Sequence, residues 1–375
     1  MTPAEVQVRL RNWLEARVEG WSNVRIKPLE VTTGSGFSAQ IFFVDVEYDD
    51  ADGAQSKTLV VRRQPQDHEV VFGSSLQLQG QMIAALDKLG AIPVPEWIGM
   101  ELDPEVLAMP FIVMGRVEGH AATQNPNYNK AGWLCDMLPA QRGAAWRNAI
   151  EAYAGMANLD WQNDGFAFMA RPDWGAPGLD QYIGYIETWY RACRKGREMP
   201  YVDAAMKYIR DKQPKSPPVN VLWGDSTPSN VMFAQDGIVN ALIDWELAAL
   251  GPAELDLAWW LYFDDLFSRR FGVDRLDGLP TRDETVAIWE AAAKRRAEHL
   301  DYYDIVVAVR MALVAVGAFD RQVGLGNITP DNKSLNANFM TLYLAERLGM
   351  ELPELGPDFY AFMSNMTPVD QKKDD

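Results

Sequence analysis

Apolar residues recur at helical spacing over residues 3–19, where Val6, Leu10, Trp13, Leu14 and Val18 fall near one face. Thr2, Pro3 and Glu5 supply an N-cap, a first-turn proline and a capping-box acid ahead of that stretch. The pattern then changes to alternation. Residues 24–32 and 38–48 read as strands, with Phe42, Val44, Val46 and Tyr48 on one side. An Asp-rich turn at 49–53 leads into a further strand, Leu59-Val60-Val61-Arg62. Helical spacing returns over 74–89 through Leu76, Ile83, Leu86 and Leu89, and Ile92-Pro93-Val94-Pro95 closes it. Residues 109–114 then form a short buried strand. The pattern predicts a small sheet crossed by one helix.

Beyond Gly119 the period is helical near 140–160, 179–195, 255–266, 283–299, 301–324 and 332–348. Short apolar strands interrupt it around 219–223, 230–233 and 238–243. The fold class is therefore α+β with two lobes, a small antiparallel-sheet lobe followed by a larger, mostly helical one. The expected division is an N-terminal helix (1–20), a sheet lobe (21–115), a helical lobe (116–365) and a mobile tail (366–375).

Composition narrows the classes. The 375 residues are 48% hydrophobic and 23% charged, as in an ordinary soluble protein, and no uninterrupted apolar run approaches bilayer length. The N-terminus lacks a basic segment leading into an apolar one, so a secretory signal is not expected. A formal charge of −17, spread along the chain, argues against nucleic acid as a partner. Cys135 and Cys193 are the only cysteines, too few for a disulfide framework or a zinc site, and point to a reducing cytoplasm. His68, His120 and His299 have no ligand spacing, and Ser38 and Ser226 have no neighbouring His to make a hydrolase triad.

The chemistry concentrates in Trp223-Gly224-Asp225-Ser226-Thr227-Pro228-Ser229-Asn230, followed by an apolar hairpin that ends at Ile243-Asp244-Trp245-Glu246. A hairpin turning at Asp236-Gly237 brings its open ends together, so Asn230 and Asp244 should be neighbours in space. One amide oxygen and one carboxylate side by side suit Mg²⁺. Asp225, at the end of the preceding strand, is placed to accept a proton from an attacking hydroxyl. Phosphoryl transfer needs this division of labour, because alignment and charge neutralisation dominate its barrier.

This segment resembles the His-Gly-Asp-x-x-x-x-Asn loop of the aminoglycoside phosphotransferase and choline kinase-like family, which implies a protein kinase-like fold. The resemblance implies Asp225 as the catalytic acid–base residue, Asn230 and Asp244 as metal ligands, and Asp256 as a brace for the catalytic loop. Trp223 stands where the family usually has His, again as a loop support. Trp-Gly-Asp and the string 244–252 are similar to a branch that includes domains fused to acyl-CoA dehydrogenases.

The same resemblance implies a nucleotide grip in the first lobe. Gly34, Ser35, Gly36, Phe37 and Ser38 would form the phosphate loop, with backbone amides approaching phosphate oxygens. Arg62 stands where kinases keep the Lys of Val-Ala-Ile-Lys. Met114, Arg116 and Val117 lie in the segment that resembles the hinge, whose backbone would pair with adenine. The helix of 74–89 has no Glu to hold Arg62, leaving Gln77, Gln79 and Gln81, or Glu69 upstream, as candidates. Trp259, Trp260, Asp264 and Asp265 would open towards the acceptor. The expected activity is ATP- and Mg²⁺-dependent phosphorylation of a hydroxyl on a small or medium-sized molecule, a hydroxyacyl compound or an aminoglycoside-like alcohol, with no nucleic acid or membrane partner. The competing reading is a non-catalytic nucleotide-binding or scaffold protein.

Overall fold

The computed structural model describes residues 1–28, 41–64, 72–73 and 75–360; the glycine turn of 34–38 and the C-terminal tail lie outside them. Thr2 and Glu5 exchange side-chain and backbone hydrogen bonds, closing the capping box that starts α1 (Pro3–Arg17). The stripe Val6, Leu10, Trp13 and Leu14 is buried against a five-stranded antiparallel sheet. Its strands, β1 (Ser22–Ile26), β2 (Ile41–Asp50), β3 (Gly53–Arg63), β4 (Trp97–Glu101) and β5 (Phe111–Gly115), lie in the order β1-β2-β3-β5-β4. α2 (Leu76–Leu89) crosses between β3 and β4.

Alternation gives the sheet two faces. Val44, Val46, Tyr48, Leu59, Val61 and Val113 are buried under α1. Ile41 is paired with Arg62, Phe43 with Val60, and Val60 with Met114, so these five share the opposite face, which looks onto the second lobe. β4 is not legible as an alternating strand. Gly99 interrupts it, and a Cβ there would come within 2.8 Å of the Trp13 ring. α2 contributes Leu76, Met82, Ile83 and Leu86 to the main core of the molecule, together with Ile112.

The second lobe contains α3 (Pro139–Ala154), α4 (Leu179–Arg194) and α5 (Pro200–Asp211). α5 is absent from the sequence-based division, although Val202, Ala205, Met206 and Ile209 are spaced i, i+3, i+4, i+7 and all buried. Short strands β6 (Asn220–Leu222), β7 (Val231–Phe233), β8 (Val239–Leu242) and β9 (Ala249–Gly251) pair as β6–β9 and β7–β8. α6 (Glu254–Phe267), α7 (Arg282–Ala293), α8 (Leu300–Gly324) and α9 (Phe339–Leu348) complete the lobe. α7 stops six residues short of the expected 299, where Lys294 turns left-handed with φ 57°.

α8 is 25 residues long and by length and composition could cross a bilayer, but 78% of its most apolar window is buried inside the fold. It is the central strut of the lobe. Two buried charges interrupt it: Asp304 is fully buried and accepts from Arg282 at 2.8 Å and Arg347 at 3.0 Å, and Arg310 is buried behind the loop described next.

Candidate active site

β6 ends at Leu222, and after Trp223 the chain turns sharply at Gly224 with φ +86°. A Cβ at Gly224 would lie 1.9 Å from the Leu247 carbonyl oxygen, so only glycine fits this turn. The turn is anchored on both sides. Asp256, at the start of α6, accepts from the Trp223 amide at 2.8 Å and from the Gly224 amide at 2.9 Å. The Gly224 carbonyl accepts from the Arg310 guanidinium at 2.5 Å. Burial pushes the Asp256 carboxyl up to about 6, although the two amides and Arg310 act in the opposite direction. Trp223 is itself fully buried, and its indole N–H donates to the Ile243 carbonyl at 2.9 Å. The indole thus ties the strand before Asp225 to the residue before Asp244, which gives Trp a supporting role where His would be usual.

Asp225 emerges from this turn half-buried, with both carboxylate oxygens oriented. The Trp259 indole N–H donates to Oδ1 at 2.8 Å, and the Asn230 side-chain amide donates to Oδ2 at 2.7 Å. Desolvation holds its carboxyl above the usual carboxylate range, and nearby Asp244 adds to the rise, while Arg310, Trp259 and Asn230 oppose it. The β7–β8 hairpin registers Val231 with Leu242, and the Ile243 amide donates to the Asn230 carbonyl at 2.9 Å. Asn230 and Asp244 therefore leave adjacent hairpin ends. Asp244 adopts φ 60°, a left-handed conformation uncommon outside glycine and frequent at functional sites.

The donor set suits a hard divalent cation. Asn230 spends its amide N–H on Asp225, which leaves its side-chain carbonyl oxygen as the remaining ligand group beside the Asp244 carboxylate. Mg²⁺ would be held by these two side chains.

Arg62 reaches down from β3 into the same site. It donates to Asp244 at 2.9 Å and to Glu246 at 2.7 Å. Glu246 is an acid partner of Arg62 not expected from the sequence. The partner for Arg62 comes not from α2 but across the cleft, from the segment that carries Asp244. Asp244, Trp245 and Glu246 follow β8 in an irregular segment with Asp244 left-handed, so strand alternation gives no signal for Glu246, and only the fold brings it to Arg62. Burial and the neighbouring Asp244 raise the Glu246 carboxyl above its usual range, against the pull of Arg62.

The hinge needs one correction. The amides of Gly115 and Arg116 already donate to Glu96 O at 2.8 Å and Thr58 O at 3.0 Å, so the Arg116 N–H is spent inside the sheet. Its guanidinium lies 5.1 Å from the Phe43 ring and pairs with Glu118 at 3.0 Å. Met114 remains on the cleft face beside Val60 and Phe43, and Val117 follows where the chain leaves the sheet.

The expected acceptor-side group also divides. Trp260 is fully buried, its ring 4.9 Å from Trp146 and 5.3 Å from Tyr153, and it belongs to the core because successive helical positions point 100° apart. Trp259 is buried too, but its N–H meets Asp225, so it orients the carboxylate rather than opening to a substrate. Asp264 pairs with Arg275 at 2.9 Å, and Asp265 with Arg269 and Arg270, both at 2.7 Å. The Ser226 hydroxyl donates to the Asp256 carbonyl at 2.7 Å and has no nucleophilic geometry.

The chain is similar to several known proteins. Acyl-CoA dehydrogenase family member 11 of Homo sapiens is 23% identical over 300 residues, covering 76% of this chain and 36% of that protein. The acyl-CoA dehydrogenase IBR3 of Arabidopsis thaliana is 24% identical over 245 residues, covering 60% and 27%. The chain thus spans about a third of the length of the curated relatives it matches. A Ralstonia eutropha protein assigned as an aminoglycoside phosphotransferase superposes with a TM-score of 0.66 at 21% identity, covering 91% of this chain and 98% of that one. A macrolide 2'-phosphotransferase type I superposes at 0.52 with 18% identity, covering 94% and 98%. These likenesses establish a kinase-like, two-lobed fold. The model of the phosphotransferase enzyme family matches residues 32–292, and this chain belongs to that family.

Proposed function

We propose that the chain transfers the γ-phosphoryl group of ATP, with Mg²⁺, to a hydroxyl of a small or medium-sized molecule. The observation that carries this reading is the contact of Asn230 with Asp225, the pairing of Asn230 with the residue before Asp244, and the ion pair of Asp244 with Arg62 of the sheet lobe. The apolar row Phe43, Val60 and Met114 supports the adenine, and the backbone at Val117 supplies its polar edge. Arg62 grips phosphate oxygens with Glu246 as its fixed partner. Asp225 takes the proton of the acceptor hydroxyl, its raised affinity for a proton suiting that task. Mg²⁺, when bound, neutralises charge on the phosphate oxygens. The features that prompted a scaffold reading, Trp223 and the missing helix acid, each have a physical account in Ile243 and Glu246.

A hydroxyacyl compound is preferred over an aminoglycoside as acceptor, because the relatives carry acyl-CoA dehydrogenase names. Cys135 and Cys193 are both unpaired, which supports a reducing cytoplasmic setting. The test is thermal denaturation with ADP and Mg²⁺, alongside phosphoryl transfer over a panel of hydroxyacyl compounds and aminoglycosides. A rise in Tm that EDTA abolishes, with turnover on at least one acceptor, is the expected result. Magnesium-dependent binding with no turnover on any alcohol would sink the catalytic reading.

Glu246→Ala should raise the KM for ATP about tenfold, the equivalent of one charge-assisted hydrogen bond lost from Arg62. Steady-state kinetics at varied ATP check this. An unchanged KM would show that Arg62 needs no acid partner.

A further inference from the structure

Arg310 is the most unusual charge in the molecule. It sits in the apolar run Ile305–Leu313 of α8 and is 2% exposed, yet no carboxylate lies within hydrogen-bonding distance of it among the described residues. Its guanidinium donates to the Gly224 carbonyl at 2.5 Å and to the Tyr182 hydroxyl at 3.1 Å, and its Nε has no partner among the described residues. The guanidinium carbon lies 3.8 Å from the centre of the Trp259 ring. Burying a cation without a directly bonded anion is costly, so packing alone is a poor reason for an Arg at this position.

Two of the contacts of Arg310, with Gly224 and with Trp259, lead to Asp225. Through the Gly224 carbonyl it fixes the peptide immediately before Asp225. Through Trp259 it acts on the side chain, because a cation over an indole face draws electron density from the ring and makes its N–H a stronger donor. That N–H is the one holding Asp225 Oδ1, while Asn230 holds Oδ2. A carboxylate with both oxygens oriented has one way to face an acceptor hydroxyl, and sub-ångström placement governs such proton transfers. Resting on the reading of Asp225 as proton acceptor, we propose that Arg310 and Trp259 form a positioning pair that sets the orientation of the Asp225 carboxylate for phosphoryl transfer.

The test compares Arg310→Met, Arg310→Lys, Trp259→Phe and Asp225→Asn. Turnover is read as phosphate released from Mg·ATP with water as acceptor, and nucleotide affinity is read by calorimetric titration of ADP with Mg²⁺. Trp259→Phe keeps the ring under Arg310 and removes only the donor. It should lower kcat roughly tenfold with KM for ATP and ADP affinity unchanged. Arg310→Met should cost roughly 10- to 100-fold in kcat, and Arg310→Lys should recover part of that loss, since an ammonium can still reach the Gly224 carbonyl. Equal losses in kcat and ADP affinity would assign Arg310 to general integrity of the fold and overturn the proposal. Should Arg310→Met fail to fold, Trp259→Phe decides alone: kcat within twofold of the parent defeats the idea. If Asp225→Asn retains full turnover, the functional reading itself fails. An inactive Asp225→Asn beside a fully active Trp259→Phe fails only the positioning pair.

Discussion

Asp225→Asn should abolish phosphoryl transfer, by about 10³-fold or more, while Mg·ADP binding stays within a few-fold of the parent. The size of the effect comes from two losses at once. Asparagine cannot accept the hydroxyl proton. It also brings an NH₂ group to a site where both positions face donors, Trp259 at Oδ1 and Asn230 at Oδ2. The least costly relief is for the Asn230 amide to flip and present its oxygen to residue 225. That flip turns an NH₂ towards Asp244 and removes the amide oxygen from the cation site. Steady-state transfer rates together with ADP titration at several Mg²⁺ concentrations separate the two losses. Retention of more than a tenth of parental turnover would show that another group takes the proton.

The second large effect is expected at Asp256. Asp256→Ala leaves the Trp223 and Gly224 amides, both buried, without acceptors. Each orphaned amide costs about 1–3 kcal/mol, so a loss of a few kcal/mol is expected in chemical denaturation. Activity should fall with it, because the turn that presents Asp225 loses its anchor. Asp256→Asn is the informative companion, since it can serve only one amide well and cannot titrate. Burial raises the pKa of Asp256 in the folded protein to about 6, from 3.8 for an ordinary aspartate. The folded protein therefore binds a proton more tightly here than the unfolded chain does. This carboxyl's contribution to stability is greatest below pH 3.8, declines as pH rises towards 6, and is constant above. Denaturation of the parent and of Asp256→Asn between pH 4 and 7 should show a downward slope in the parent that the variant lacks. Parallel curves would mean that Asp256 titrates alike in both states.

Much of this site was legible before any coordinates. Gly-Asp, four residues, Asn and a hairpin ending in Asp define a local geometry, because a strand end, a tight turn and a two-strand register are all set within about 20 residues. For the same reason the capping box at Thr2 and the sheet's buried stripe could be read directly. The strands and helices that escaped notice have local causes too. β4 carries a glycine and no clean alternation, whereas α5 is short, with only four buried positions, Val202, Ala205, Met206 and Ile209, to mark its period.

What the chain alone determined is the identity and spacing of Asp225, Asn230 and Asp244, since those depend on contacts between near neighbours in sequence. Only the tertiary structure decided what surrounds them. Arg62 and Glu246 are separated by 184 positions, and Arg310 lies 86 beyond Gly224; no periodicity links such pairs. Their meeting depends on how two lobes and a central helix pack. The same packing decided that Trp259 faces Asp225 and Trp260 the core, one residue apart on one helix. Hydrophobic patterning records that both are buried; which neighbour each meets is a property of the assembled fold.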